Sequence, residues 1–438
     1  MIAASSLVGT AIEWYDFFLY GTASALVFNT LFFPAADPVV GTMLAFSTYA
    51  VGFVARPVGA AVLGHYGDRK GRRTTLIASL VLMGISTFLI ALLPGYDTIG
   101  VAAPVLLILC RLVQGFALGG EWGGAVLLVS EHGDSKRRAF WASWPNVGPP
   151  LGNLLAAGAL ALLNALMPQQ AFLAWGWRIA FALSALLVLA GLWLRLHVAE
   201  TPLFEQAARQ QPDKPQRMPM GVVIRDHWRA VVLAAATRFG ENAGFYIYSL
   251  LVITYVTKML ELPDSVALTA VMVGQAVAVV AIPLFAMLAD RIGRRPIYLT
   301  ASAATIVWAF VFFALLDTRN TAAIVTAVAG GLLIFAAYSS VIGAFFSELF
   351  PTAIRYTGVS LAYNLASVLA GSLAPIIALV LDARFATGYA IAAYLAAMGM
   401  VSLIAALIAK ETPSTTLDTT ESIDENNTPS AQTAPAQP

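Results

Sequence analysis

About twelve runs of roughly 20 mostly apolar residues, each closed by a polar break, follow one another between residues 4 and 409. No soluble core accommodates so many, because a run of that length leaves no polar face to meet water. Composition agrees: 59% of residues are hydrophobic and only 11% charged, against about 25% charged in soluble domains. A cytosolic enzyme, a disulfide-built secreted scaffold and a disordered chain are thereby excluded. The expected fold is all-α, with 12 transmembrane helices arranged as two six-helix bundles. The first run starts close to Met1 with no basic segment before it, so it reads as a retained helix rather than a cleaved leader. Cys110, the single cysteine, reads as a small core residue.

Positive charge orients the spans. Of the 25 Lys and Arg, 18 fall in the even-numbered connections or just after the last span, four in or beside the odd-numbered connections, and three inside spans. Basic residues mark the cytoplasmic side, which puts both termini there. Residues 1–194 then form an N-terminal bundle, 195–229 a central cytoplasmic loop, 230–409 a C-terminal bundle and 410–438 a polar tail, expected to be disordered. The halves echo each other. Asp68-Arg69-Lys70-Gly71-Arg72-Arg73 after the second span returns as Asp290-Arg291-Ile292-Gly293-Arg294-Arg295 after the eighth, and Glu131 with Arg138 returns as Glu348 with Arg355. Matched charged turns at one point of each half point to a six-plus-six duplication.

With these residues in view the chain resembles the major facilitator superfamily, whose signature is the Asp-Arg-x-Gly-Arg-Arg loop between the second and third spans. Within it the chain is similar to the metabolite:proton symporter group, the shikimate transporters above all, with α-ketoglutarate, citrate and proline/betaine permeases as relatives. That likeness rests on Glu13-Trp14-Tyr15-Asp16-Phe17, Arg56-Pro57, Arg111-x-x-Gln114-Gly115 leading to Gly119-Gly120-Glu121-Trp122, and Trp175-Gly176-Trp177-Arg178. Two departures stand out. Ala286 replaces the glycine that Gly64 provides in the first loop, and the charged coiled-coil tail of the osmosensing proline/betaine members has no counterpart. In the related proton-coupled sugar porters a Tyr-Asp of the first span works with an Arg of the fourth, and Tyr15-Asp16 and Arg111 match those positions.

A charge at the bilayer centre costs about 2.5–3.5 kcal/mol, so each intramembrane ionisable residue is a candidate site. There are seven: Glu13, Asp16, Arg56, Arg111, Glu121, Arg238 and Glu241. Glu13 and Asp16 are three residues apart and share a helix face with Tyr20; a carboxyl taken out of water beside a second acid exchanges its proton more readily near neutral pH. Asp16, Arg111, Glu13 and Glu121 are the proton-coupling set, with Asp16 as coupling carboxyl, pairing with Arg111 when ionised and freeing it when neutral. Tyr15, Tyr20, Arg56, Gln114, Arg238, Glu241, Asn242 and Tyr246 are the substrate-binding set. The alternatives are static ion pairs between helices for Asp16, Arg111 and Arg56, a self-neutralised pair for Arg238 and Glu241, and simple packing for the aromatic residues.

Gly64, Asp68, Arg69, Gly71, Arg72, Glu131 and Arg138, with Asp290, Arg291, Gly293, Arg294, Glu348 and Arg355, form the expected cytoplasmic gate. Their basic members also set topology. Gly148-Pro149-Pro150-Leu151-Gly152 partly resembles a signature of the superfamily's drug antiporters, but reads first as a kink against a neighbouring helix, since the rest of the charged pattern is that of the symporters. All four His residues lie at span ends, so no metal site is expected, and no phosphate-binding loop is found. The expectation is a secondary transporter and not an enzyme, with no cofactor beyond the proton gradient and no nucleic-acid partner, working as a monomer in the inner or plasma membrane. It would take up a small polar metabolite, an organic acid, with protons. A proton-coupled exporter of a toxic compound, a proline/betaine-type osmolyte symporter and a nutrient sensor on a transporter scaffold are the other readings.

Overall fold

The computed structural model describes residues 2–34, 38–70, 72–119, 137–197, 223, 225–350 and 355–409, and each expected run is helical within them. The N-terminal half comprises α1 (Ile2–Ala23), α2 (Pro38–Lys70), α3 (Arg72–Leu92), α4 (Ala102–Leu118), α5 (Arg138–Leu166) and α6 (Trp177–His197). The C-terminal half comprises α7 (Trp228–Thr237, continuing as Phe239–Tyr246), α8 (Asp264–Ile292), α9 (Arg294–Leu316), α10 (Thr321–Leu349), α11 (Arg355–Ala366, continuing as Ala374–Phe385) and α12 (Gly388–Ile408). No strand occurs among the described residues.

Polarity is arranged inside out. Asp16 and Arg111 have no exposed surface, while Val54 (60%), Leu166 (72%) and Val307 (66%) stand on the outside. That belt suits lipid, and Trp175, Trp193 and Trp228 are exposed near helix ends, where amphipathic rings meet the membrane interface. Seven described helices are long and apolar enough to cross a membrane on length and composition alone. α1 is not among them, because Glu13 and Asp16 dilute its apolar character.

Lipid is as apolar as leucine, so close packing rather than hydrophobicity must hold the helices together. Between α2 and α4 glycines make this possible: a Cβ on Gly59 would strike the Phe116 carbonyl, one on Gly115 the Gly52 carbonyl and one on Gly119 the Arg56 carbonyl. The backbones touch, and Arg56 and Arg111 are thereby carried toward α1. Gly148 and Gly152 of α5 do the same against Thr10 and the Tyr15 amide of α1. The Gly-Pro element thus brings two helices together. Ala286 is fully buried, so the methyl that replaces a glycine there is accommodated. Cys110 is half-buried against the core.

The halves meet along α5 and α8. They also touch through α1 and α7, where Phe18 is 5.3 Å from Phe245 and 6.2 Å from Tyr246, ring to ring. α1 passes into a π-turn at Ser24–Phe28 and α7 into one at Ile247–Leu251. Such wide turns gather at functional sites, and these two follow closely on Tyr20 and Tyr246.

Candidate substrate and proton site

Arg56 lies among aromatic rings, its Cζ 4.4 Å from Phe17, 4.3 Å from Phe53 and 5.3 Å from Trp14. Arg111 also sits over Phe17, at 4.9 Å, and over Tyr20 at 4.0 Å and Tyr49 at 4.9 Å. Ring faces recover part of the lost hydration of a guanidinium, about 2 kcal/mol for a desolvated contact. They do not satisfy its N–H groups. Nε and Nη2 of both arginines are buried without a hydrogen-bond partner.

Asp16 does not pair with Arg111, contrary to the sequence expectation. Two residues stand between them. Arg111 Nη1 donates to Gln114 Oε1 (2.8 Å), Gln114 Nε2 donates to Thr87 Oγ1 (2.7 Å), and Thr87 Oγ1 donates to Asp16 Oδ2 (3.0 Å). Every member of this chain is fully buried. The cause is rotational: Asp16 faces α3 and α6, where Ser184 is its neighbour, while Arg111 faces the rings of α1 and α2. Thr87 has one hydroxyl proton and two acceptors, since the Met83 carbonyl is also 3.0 Å away.

Four members of the expected substrate set, Tyr15, Gln114, Arg238 and Glu241, are engaged within the protein. Gln114 links Arg111 to Thr87, and Tyr15 donates to the Ala180 carbonyl of α6 (2.9 Å), because its position on α1 turns it away from Arg111. Tyr20 keeps its ring on Arg111, with its hydroxyl 2.6 Å from that of Thr48. Glu13 is buried on α1. Arg238 and Glu241 form the intrahelical pair, Nε to Oε2 at 2.9 Å. Arg238 Nη1 also donates to the Tyr363 carbonyl and to Ser367 Oγ, and its Cζ stacks 3.5 Å from the Tyr363 ring. Asn242 approaches Ser367 Oγ at 3.5 Å. Tyr246 meets Tyr49 and Phe53 of the other half, ring centroids 6.2 and 5.6 Å apart.

Tyr49, Thr87, Ser184, Tyr363 and Ser367 were not singled out from sequence. Uncharged polar residues are common in apolar spans, and only helix rotation decides which of them face a charge. Tyr49 packs its ring against Phe17, Phe53 and Tyr246 and under Arg111.

At the basic face Asp290 accepts from two backbone N–H groups of the other half, Ala139 to Oδ1 at 2.9 Å and Phe140 to Oδ2 at 3.0 Å. A carboxylate at a helix N-terminus satisfies free N–H groups and meets the positive end of the dipole. Nearby, Asn146 Nδ2 donates to the Ser339 carbonyl (2.8 Å). Gly293 has φ +94°, a left-handed conformation that favours glycine and turns α8 into α9. Arg291 is exposed and Arg294 partly buried. Gly71, Glu121 and Glu131 lie outside the described residues, as do the side chains of Asp68, Arg69, Arg72, Arg138, Glu348 and Arg355; Gly64 is described only as part of α2. Asp290→Asn keeps the shape and loses the charge, which should release the seam by about 1–2 kcal/mol, or roughly five- to thirty-fold in population. With Cys110→Ser and Ala142→Cys as background, alkylation at position 142 is expected to accelerate by that factor; an unchanged rate would show that Asp290 does not hold the face closed.

The sequence matches the family model described as Major Facilitator Superfamily over residues 6–375. The chain belongs to the major facilitator superfamily. It is 42% identical over 416 residues to the inner membrane metabolite transport protein YhjE of Escherichia coli strain K12, covering 94% of each chain. It is 39% identical to the shikimate transporter of the same organism, covering 93% of this chain and 94% of that one. With the E. coli K12 proline/betaine transporter it shares 34% identity over 94% of this chain and 83% of the other. Among solved structures, the xylose transporter XylE of E. coli in a partially occluded inward-open conformation superposes with a TM-score of 0.73 at 19% identity, covering 93% of this chain and 95% of that chain. The fold is thus that of the superfamily, and the protein is a multi-pass membrane transporter of small molecules, not an enzyme.

Proposed function

We propose that the protein imports a small carboxylate-bearing metabolite together with a proton, by alternating access of its two halves, as a monomer of the inner membrane with both termini in the cytoplasm. The observation that carries this reading is the pair of buried arginines, Arg56 and Arg111, with unpartnered N–H groups. A buried guanidinium left without an anion is costly. A carboxylate offers the matching two-oxygen fork. Shikimate, proline and betaine, the compounds for which relatives are named, all carry a carboxylate.

Charge balance supports coupling. Arg56, Arg111 and Arg238 share the membrane-embedded core with the carboxyls of Glu13, Asp16 and Glu241, so an incoming anion adds a negative charge that a proton on a carboxyl offsets. Asp16 is that carboxyl in this reading. Protonation also weakens the acceptor at the end of the relay, since a neutral carboxyl accepts less strongly than a carboxylate: the Thr87 hydroxyl then favours the Met83 carbonyl, which loosens the link through Gln114 to Arg111. The proton gradient is the only driving force required. Packing of Gly148 and Gly152 on α1 gives the Gly-Pro element a role that does not require export.

The test uses de-energised cells expressing the protein and follows external pH after addition of shikimate, other organic acids, proline or glycine betaine. Alkalinisation on adding a carboxylate is expected. Silence with every carboxylate, or acidification when a cationic drug enters, would refute carboxylate symport.

A further inference from the structure

Two fully buried amides remain outside the site described so far. Asn153 of α5 and Gln275 of α8 each have no exposed surface, and both the nitrogen and the oxygen of each side chain lack a partner. Buried amides are nearly always hydrogen-bonded. Four orphaned atoms on two residues therefore call for a common cause.

Their positions supply one. α5 and α8 run antiparallel, with Asp290 against Ala139 at one end and a Cβ on Gly158 reaching Met272 Sδ at 3.7 Å further along. The same register sets Asn153 opposite Val277, two residues from Gln275, about 3 Å along the axis. Asn153 falls on the α5 face of Asn146, two turns earlier, which bonds Ser339 of the other half. Gln275 follows Met272 by one turn, on the face toward α5, and its neighbour Gly274 packs on Val328 and Leu332 of α10. Depth is matched as well: a Cβ on Gly152 would touch the Tyr15 amide, so Asn153 lies level with the turn of α1 that carries Asp16 and Phe17.

We propose that Asn153 and Gln275 form a subsite that binds the hydroxyl groups of the substrate across the seam between the halves, while Arg56 and Arg111 hold its carboxylate. The substrate is then a hydroxylated carboxylate. An amide presents an acceptor and two donors, and a ligand that both donates and accepts can satisfy both kinds of atom. Hydroxyls do both. A quaternary betaine has no N–H or O–H to give, and an aliphatic acid without hydroxyls leaves all four atoms orphaned. The subsite also spans both halves, so filling it joins them around bound solute. This inference rests on the carboxylate reading of the arginines.

The test measures binding to purified full-length protein at mildly acidic pH, using shikimate, the hydroxyl-free cyclohex-1-ene-1-carboxylate and glycine betaine. A site built to bond hydroxyls rejects the analogue that lacks them, and shikimate is expected to bind at least about tenfold more tightly than the other two. In Gln275→Leu and Asn153→Leu that preference should shrink to below about twofold, with affinity for cyclohex-1-ene-1-carboxylate retained. Both variants should melt no lower than the parent, since leucine fills similar space and removes unsatisfied atoms. Equal binding of both acids by the parent, betaine bound as tightly as shikimate, or a preference that survives both substitutions would overturn the subsite and leave the carboxylate reading intact. Binding of neither acid would overturn both.

Discussion

Asp16→Asn is expected to reduce accumulation driven by a pH gradient by about 100-fold or more, while exchange of external labelled for internal unlabelled substrate continues. The amide is uncharged at every pH, so it holds the end of the relay in a neutral form. Exchange needs only substrate-loaded protein to alternate. Net uptake needs the empty protein to return, and return is where loss of the proton from Asp16 restores the chain from Thr87 through Gln114 to Arg111. Thr87 offers a check on that route. Thr87→Val has the same shape without the hydroxyl and should lower the ratio of accumulation to exchange about tenfold, a break of roughly 1.4 kcal/mol in the coupling; Thr87→Ser should restore it. If Asp16→Asn concentrated substrate normally, Asp16 would not be the coupling carboxyl. If Thr87→Val remained coupled, the signal would have to pass by another path.

How much of this was legible in the sequence follows from what each feature depends on. The helices were readable because twenty apolar residues in a row have one stable use, and the repeat was readable because Asp68 and Asp290 sit at equivalent turns. Asp16, Arg56 and Arg111 announced themselves by charge alone, since a bilayer makes any unnecessary charge expensive. Arg238 and Glu241 were expected in the substrate-binding set, with an intrahelical pair as the alternative because i and i+3 on a helix adjoin; it is the pair that forms. Rotation was not readable. Tyr15 precedes Asp16 on α1 and bonds the backbone of α6; Gln114 follows Arg111 by one turn and bonds Thr87 rather than facing substrate. Nor were the neutral residues: Thr87 and Tyr49 matter only because α3 and α2 turn them toward a buried charge. Asn153 and Gln275 look like ordinary polar interruptions of apolar helices until both atoms of each prove to be without partners.

Arg111→Lys separates carboxylate binding from proton coupling. Both side chains carry one positive charge, so topology and overall charge balance are unchanged. What changes is geometry. The guanidinium lies flat on Tyr20, donates through Nη1 to Gln114, and keeps Nε and Nη2 free in the same plane. An ammonium is a compact, strongly hydrated point charge that cannot stack, reach Gln114 and present a two-hydrogen fork at once. Loss of a bidentate, charge-assisted contact in a buried site should weaken binding by about 100-fold, close to 2.7 kcal/mol. Exchange should therefore fall along with accumulation, unlike the Asp16→Asn outcome. Binding measured on purified protein, beside its melting temperature, locates the defect: a native melting temperature with lost affinity places the carboxylate on Arg111. Retained affinity with lost accumulation would make Arg111 part of the coupling relay alone and leave the carboxylate to Arg56. Because Gln114 contacts Arg111 through one nitrogen only, the two functions are separable in principle, and the free edge of the guanidinium is the part that substrate would use.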